Sequence, residues 1–109
     1  MLDIVQVANK IQSDINNLRY LCNDLESYAQ RMAQGIADYD KALKIKMLEL
    51  RSAGMAVSMI EKTAKGDCHK ECLEKELGIA LFKIQNTKIE ACKSSLMGYQ
   101  SINRHLSDV

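Results

Sequence analysis

The chain has 109 residues, nearly balanced charge (15 Lys and Arg against 14 Asp and Glu) and an aliphatic hydrophobic content, with one Phe, four Tyr and no Trp. That length suits one domain, and a net charge of +1 argues against a protein held to nucleic acid mainly by phosphate neutralisation. The absence of proline and the presence of only five glycines favour helix over sheet.

The first element is a long helix over about residues 2–51. Ile4, Ala8, Ile11, Ile15, Leu18, Cys22, Leu25, Ala29, Met32, Ile36, Tyr39 and Leu43 alternate in steps of three and four, and all are apolar. A mean step of about 3.5 residues keeps one stripe facing a partner along a supercoiled helix. With Ile4 as d and Ala8 as a, the g positions are Val7, Asp14, Leu21, Tyr28, Gly35 and Ala42, so the apolar face is wider than a two-helix seam requires. The heptad next calls for residue 46, a lysine, where the seam is expected to end or change partner. Gly35 marks a candidate bend. Were the chain to fold back there, a monomeric three-helix bundle would result.

Ser52-Ala53-Gly54 then stops the helix, with Gly54 in position for the left-handed C′ conformation. A corner helix follows over about 55–64, with Val57, Ile60 and Ala64 on one face. Gly66 is expected to terminate it and Asp67 to cap the next helix. The last helix covers about 68–106, with apolar positions Leu73, Leu77, Ala80, Leu81, Ile84, Ile89, Cys92, Leu96, Tyr99, Ile102 and Leu106.

The expected fold is therefore all-α: a single domain over 1–109, a long antiparallel helical hairpin with a short corner helix. Surplus apolar flank predicts assembly into a homo-oligomeric helical bundle, a homodimer or higher even oligomer. Its interface would use Ile4, Ile11, Ile15, Leu18, Leu25, Met32, Ile36, Tyr39 and Leu43. No apolar run approaches the roughly eighteen residues that span a bilayer, so no membrane partner is expected. The opening Met-Leu-Asp-Ile-Val lacks a basic region before an apolar block. The chain reads as cytoplasmic, with its four cysteines as free thiols.

Chemistry-bearing residues are few. Cys68-His69-Lys70-Glu71-Cys72 is the most metal-like stretch, but Cys22, Cys92 and His105 are too isolated to complete a tetrahedral set, so no metal and no cofactor are expected. Cys68, in a first helical turn, is a candidate low-pKa thiol. No phosphate-cradling loop or nucleophile–base pairing is visible, which reads as not an enzyme. The segment from Leu48 to Gly66 admits a helix-turn-helix reading, disfavoured by Glu71, Glu74 and Glu76 on the would-be reading helix.

The residues Tyr39, Ala42-Leu43, Leu48-x-Leu50-Arg51-x-x-Gly54-Met55-x-Val57-x-x-Ile60 and Ala64-Lys65-Gly66-Asp67 form one distinctive run. Lys75-Glu76-Leu77-Gly78-Ile79-Ala80-Leu81-Phe82-Lys83 forms a second. Over roughly 39–106 the chain resembles a family of small helical coiled-coil hairpin proteins of bacteriophages and prophages of Gram-positive hosts. It departs from that pattern at Ala56, where proline is usual, and at Gly78-Ile79. The resemblance implies a viral protein of the host cytoplasm, with an accessory or host-countering role and no established activity.

Three functions remain open from the sequence. The first is a non-enzymatic phage-type protein acting by stoichiometric binding, countering a host defence protein or sequestering a small anionic ligand such as a nucleotide signal. The candidate binding residues are Arg51, Lys62, Lys65 and Lys70. The second is a nucleic-acid-binding accessory factor for phage recombination or replication, using the basic face from Lys41 to Lys65. The third is a structural or chaperone-like coiled-coil interaction protein.

Overall fold

The computed structural model describes residues 3–108, and all its regular structure is helical: α1 spans Ile4–Ser52, α2 Val57–Asp67 and α3 His69–Ser107. The fold is an all-α hairpin in which α1 and α3 pair antiparallel and α2 forms the corner. The expected helix start at Leu2 lies outside the described residues. Instead a reciprocal cap sets the beginning: the Asp3 carboxylate accepts the Gln6 N–H at 2.8 Å, and the Gln6 side-chain carbonyl accepts the Asp3 N–H at 3.1 Å.

Helix α1 ends as its sequence dictates. The Met55 N–H donates to the Leu50 carbonyl and the Gly54 N–H to the Arg51 carbonyl, both at 3.1 Å, with Gly54 at φ +86°. This two-bond closure satisfies carbonyls that the helix end would orphan, and only glycine adopts the required left-handed backbone freely. Gly35 does not bend the helix; α1 runs through it unbroken, which removes the folded-back three-helix alternative. Its role is close approach. A Cβ at Gly35 would lie 3.1 Å from Lys75 Cα, and one at Gly78 would lie 3.1 Å from Met32 Cα. Each glycine lets its own helix lie against the backbone of the other, at Lys75 and at Met32.

The corner differs from expectation. α2 begins at Val57 and continues through Gly66 to Asp67, so Gly66 is helical rather than a terminator. Cys68 alone separates α2 from α3. Its N–H donates to the Ala64 carbonyl, closing α2, and its own carbonyl accepts the Cys72 N–H, opening α3, each at 3.0 Å, while its backbone at φ −98° and ψ 26° interrupts the helical ladder. The His69 ring meets the Gly66 carbonyl at 3.1 Å, and no left-handed residue closes α2. Asp67 caps nothing and reaches Lys46 at 3.7 Å. A helix-turn-helix needs a turn of roughly three to four residues between its helices, and this one-residue joint is not one.

Contacts divide the chain into a terminal unit, up to Glu26 and from Lys83 onward, and a central unit, Ser27–Phe82. In the terminal unit Val7, Ile89 and Cys92 are buried, and so is Gln85, which is only 4% exposed. The Gln85 amide donates to the Leu21 carbonyl at 2.9 Å, Ser95 Oγ to the Asp14 carboxylate at 2.7 Å, and the Cys92 thiol to the Asp14 carbonyl at 3.3 Å. In the central unit Gly35, Ile60, Ala64, Cys68 and Gly78 are buried. The Lys75 ammonium lies 4.4 Å from the centre of the Tyr39 ring, and Arg31 is 3.8 Å from Glu74.

The seam that α1 turns to α3 is built from Val7, Asp14, Leu21, Tyr28, Gly35 and Ala42, alternating with Ile11, Leu18, Leu25, Met32, Tyr39 and Lys46. These are the g and d positions. The a positions flank the seam, with Ala8, Cys22 and Ile36 exposed and Ile15, Ala29 and Leu43 half-buried. Lys46 does not end the seam, because its ammonium reaches Asp67 at 3.7 Å and Glu49 at 3.6 Å while its stem packs. Opposite the α1 seam, the inward set starts at the joint residue Cys68 and continues on α3 with Glu71, Lys75, Gly78, Phe82, Gln85, Ile89, Cys92, Leu96, Tyr99, Asn103 and Leu106. The apolar positions expected to face inward at Leu73, Leu77, Ala80, Ile84 and Ile102 are exposed instead. Hydrophobicity misleads there because the close backbone approach at Gly78 fixes which face of α3 meets α1.

Candidate binding groove at the helical corner

Within the central unit, one face of α1 carries Lys44, Met47, Leu48 and Arg51 at i, i+3, i+4 and i+7. Across from it, α2 presents Val57, Ile60 and Glu61, spaced i, i+3 and i+4. The Gly54 reversal brings these two ridges together, and a cavity of about 630 Å³ lies between them. That volume falls within the range typical of ligand sites, roughly 300–1,000 Å³.

The floor is apolar and wet. Ile60 is buried, but Leu48 is 63% and Val57 84% exposed. The α1 wall carries Lys44 and Arg51, and neither has a carboxylate within 4.0 Å among the described residues. On the α2 wall Glu61 is already occupied, since its carboxylate meets Lys65 Nζ at 3.0 Å. That hydrogen bond, with the attraction of the Glu61 charge, raises the Lys65 pKa above its ordinary value. The groove is thus apolar below and net positive along one rim.

Of the four candidate binding residues, Arg51 lines this groove. Lys65 is tied to Glu61, while Lys62 and Lys70 are exposed and line neither cavity described here. Among the expected interface residues, Ile11, Leu18, Leu25, Met32 and Tyr39 are half-buried on the face toward α3. Ile15 and Leu43 are half-buried on the flank, and Ile4 and Ile36 are exposed. The sequence reading missed Lys44, Met47, Leu48, Val57 and Glu61 as a set. The available signal is the i, i+3, i+4, i+7 spacing from Lys44, which falls where the heptad is expected to end or change partner.

A second cavity of about 460 Å³ lies in the terminal unit, lined by Asp14, Asn17, Leu21, Lys88, Ala91, Cys92 and Ser95. Its polar groups are largely spent on one another, through Ser95 to Asp14, Cys92 to the Asp14 carbonyl, and Asn17 to Cys92 Sγ at 3.9 Å. It offers little free recognition chemistry.

Cys68 is buried, and burial followed by the charges of Glu71 and Asp67 pushes its thiol pKa up. The expected activated thiol is therefore overturned. Desolvation and the neighbouring acids outweigh the pull of the α3 N-terminus on this thiol. His69 Nδ1 donates to the Gly66 carbonyl at 3.1 Å. Among the described residues, no three His, Cys, Asp or Glu side chains gather as a metal site, and no helix is long and apolar enough to cross a membrane. The chain matches no protein family, no curated protein and no solved structure.

Proposed function

We propose that this chain is a non-enzymatic protein that works by stoichiometric binding through its helical surfaces, as a self-associating hairpin that engages a protein partner. The observation supporting this is the amount of apolar side chain outside the α1–α3 seam. Ile4, Ile36 and Cys22 lie along α1, and Leu48, Val57 and Met59 lie around the corner. Large apolar side chains left exposed outside a chain's own seam are candidate protein-contact surface. A protein partner suits the geometry better than a nucleotide, because Lys62, Lys65 and Lys70 line neither cavity. In the phage setting that the resemblance implies, such binding would occupy and neutralise a host protein.

The α1 flank is the proposed self-association face, since its a positions continue the heptad and Ala8, Cys22 and Ile36 among them are exposed. Light scattering at micromolar concentration is expected to give a mass of two chains or a higher even number. Ile36→Glu should reduce that mass toward one chain while helicity by circular dichroism stays unchanged. A folded, single-chain mass for the native protein would refute self-association.

A further inference from the structure

We propose that the corner groove is a docking site for an amphipathic helix whose apolar ridge is flanked by carboxylates, supplied by a different protein. This rests on the stoichiometric-binding reading and gives its partner a chemistry. Three observations carry it. The floor formed by Met47, Leu48, Val57 and Ile60 is apolar and lies between two helical ridges, the form of site into which a helix lays its apolar face. Lys44 and Arg51 stand on one rim two helical turns apart, about 10.5 Å at 1.5 Å per residue. Carboxylates seven residues apart on a docked helix would match both.

The third observation selects against a second copy of the same corner. The one acid on the groove, Glu61, is neutralised by Lys65 within the same helix. Two corners face to face would therefore oppose Lys44 and Arg51 to their own kind across a closing apolar interface, where like charges are costly. An acidic helix pairs both cations and buries Leu48 and Val57 together.

The probe is a synthetic 18-residue helical peptide with leucines at i, i+3, i+4 and i+7 and two glutamates seven residues apart beside them. Its twin carries lysines in place of those glutamates. Fluorescence anisotropy with the full chain should show the acidic peptide binding at least tenfold more tightly than the basic one. The double variant Lys44→Glu/Arg51→Glu should reverse that preference, and Val57→Asp should abolish binding of the acidic peptide. All three changes are at the protein surface, and circular dichroism will establish that the fold is retained.

Equal affinity for the two peptides, no binding of either, or a preference that survives the double reversal would overturn the proposal. So would a light-scattering mass that drops to one chain on Val57→Asp, because the groove would then be covered by another copy. Self-association through α1 is read separately, from the Ile36→Glu mass. Loss of the groove result with that mass effect intact removes the groove inference and leaves the binding reading standing.

Discussion

A methyl group at Gly35 would press on the Lys75 Cα, and one at Gly78 on the Met32 Cα, each at 3.1 Å. Backbone atoms are the obstacle in both cases, so relief requires the helices to separate. Alanine gains about 1 kcal/mol of helix propensity over glycine, whereas overpacking costs about 1–3 kcal/mol. Overpacking wins: Gly35→Ala and Gly78→Ala should each destabilise by roughly 1 kcal/mol in urea unfolding. Gly98 is helical with nothing within 4 Å, so Gly98→Ala should stabilise by about 0.5–1 kcal/mol in the same assay. Cys68 gives the second prediction at this scale. Its folded pKa is raised above the ordinary 9.0, so its contribution is fully present below that value, where folded and unfolded chains both hold the proton. As pH rises further the unfolded chain ionises first, and stability falls through the folded pKa. Unfolding measured from pH 8 upward should show this alkaline decline, and Cys68→Ala should flatten it.

Among the elements, the two ends of the corner are unequally built. α1 closes through Gly54 with both bonds of its terminal motif made, whereas α2 starts at Ala56, whose side chain offers no cap. A capping oxygen at that position would accept an N–H that now has no side-chain partner. Ala56→Asp should therefore raise stability by about 1 kcal/mol in thermal or urea unfolding, helped by a negative charge at a helix start. Gly54→Ala should lower it by about 1–2 kcal/mol, the cost of a side chain in left-handed backbone. Both signs follow from which backbone groups already have partners.

For the whole molecule, the sequence made the helices legible and their rotation much less so. The 3–4 stepping over 4–43 and the Gly54 stop announce α1 and its end, because periodicity and chirality act locally. The Asp3–Gln6 cap was equally readable, with an acceptor followed three residues later by an amide. Which stripe meets α3 is a tertiary question. The g set containing Asp14 and Gly35 prevails over the more apolar a set, since Gly35 and Gly78 permit a spacing that no larger residue allows. On α3 the inward stripe includes Glu71, Lys75 and Gln85, and hydrophobicity alone points elsewhere. Gln85 donates to the Leu21 carbonyl and Lys75 lies over the Tyr39 ring, and such contacts select one register over its neighbours. The groove was hidden for a related reason: Lys44, Leu48 and Arg51 become a wall only once the Gly54 reversal brings α2 alongside.

Among the described residues the left-handed turn is at Gly54, where the chain reverses, and only Cys68 separates α2 from α3. That reversal gives folding a natural origin. Lys46 and Asp67 need only a short loop to find each other, whereas Asp14 must cross 81 positions to reach Ser95. Loop-closure entropy rises with that span, by about 0.6 kcal/mol for every doubling. Once the near pairs are set, each more distant pair closes a much smaller residual loop. The hairpin can thus zip outward from its bend, and by the same logic its free ends are the first to open.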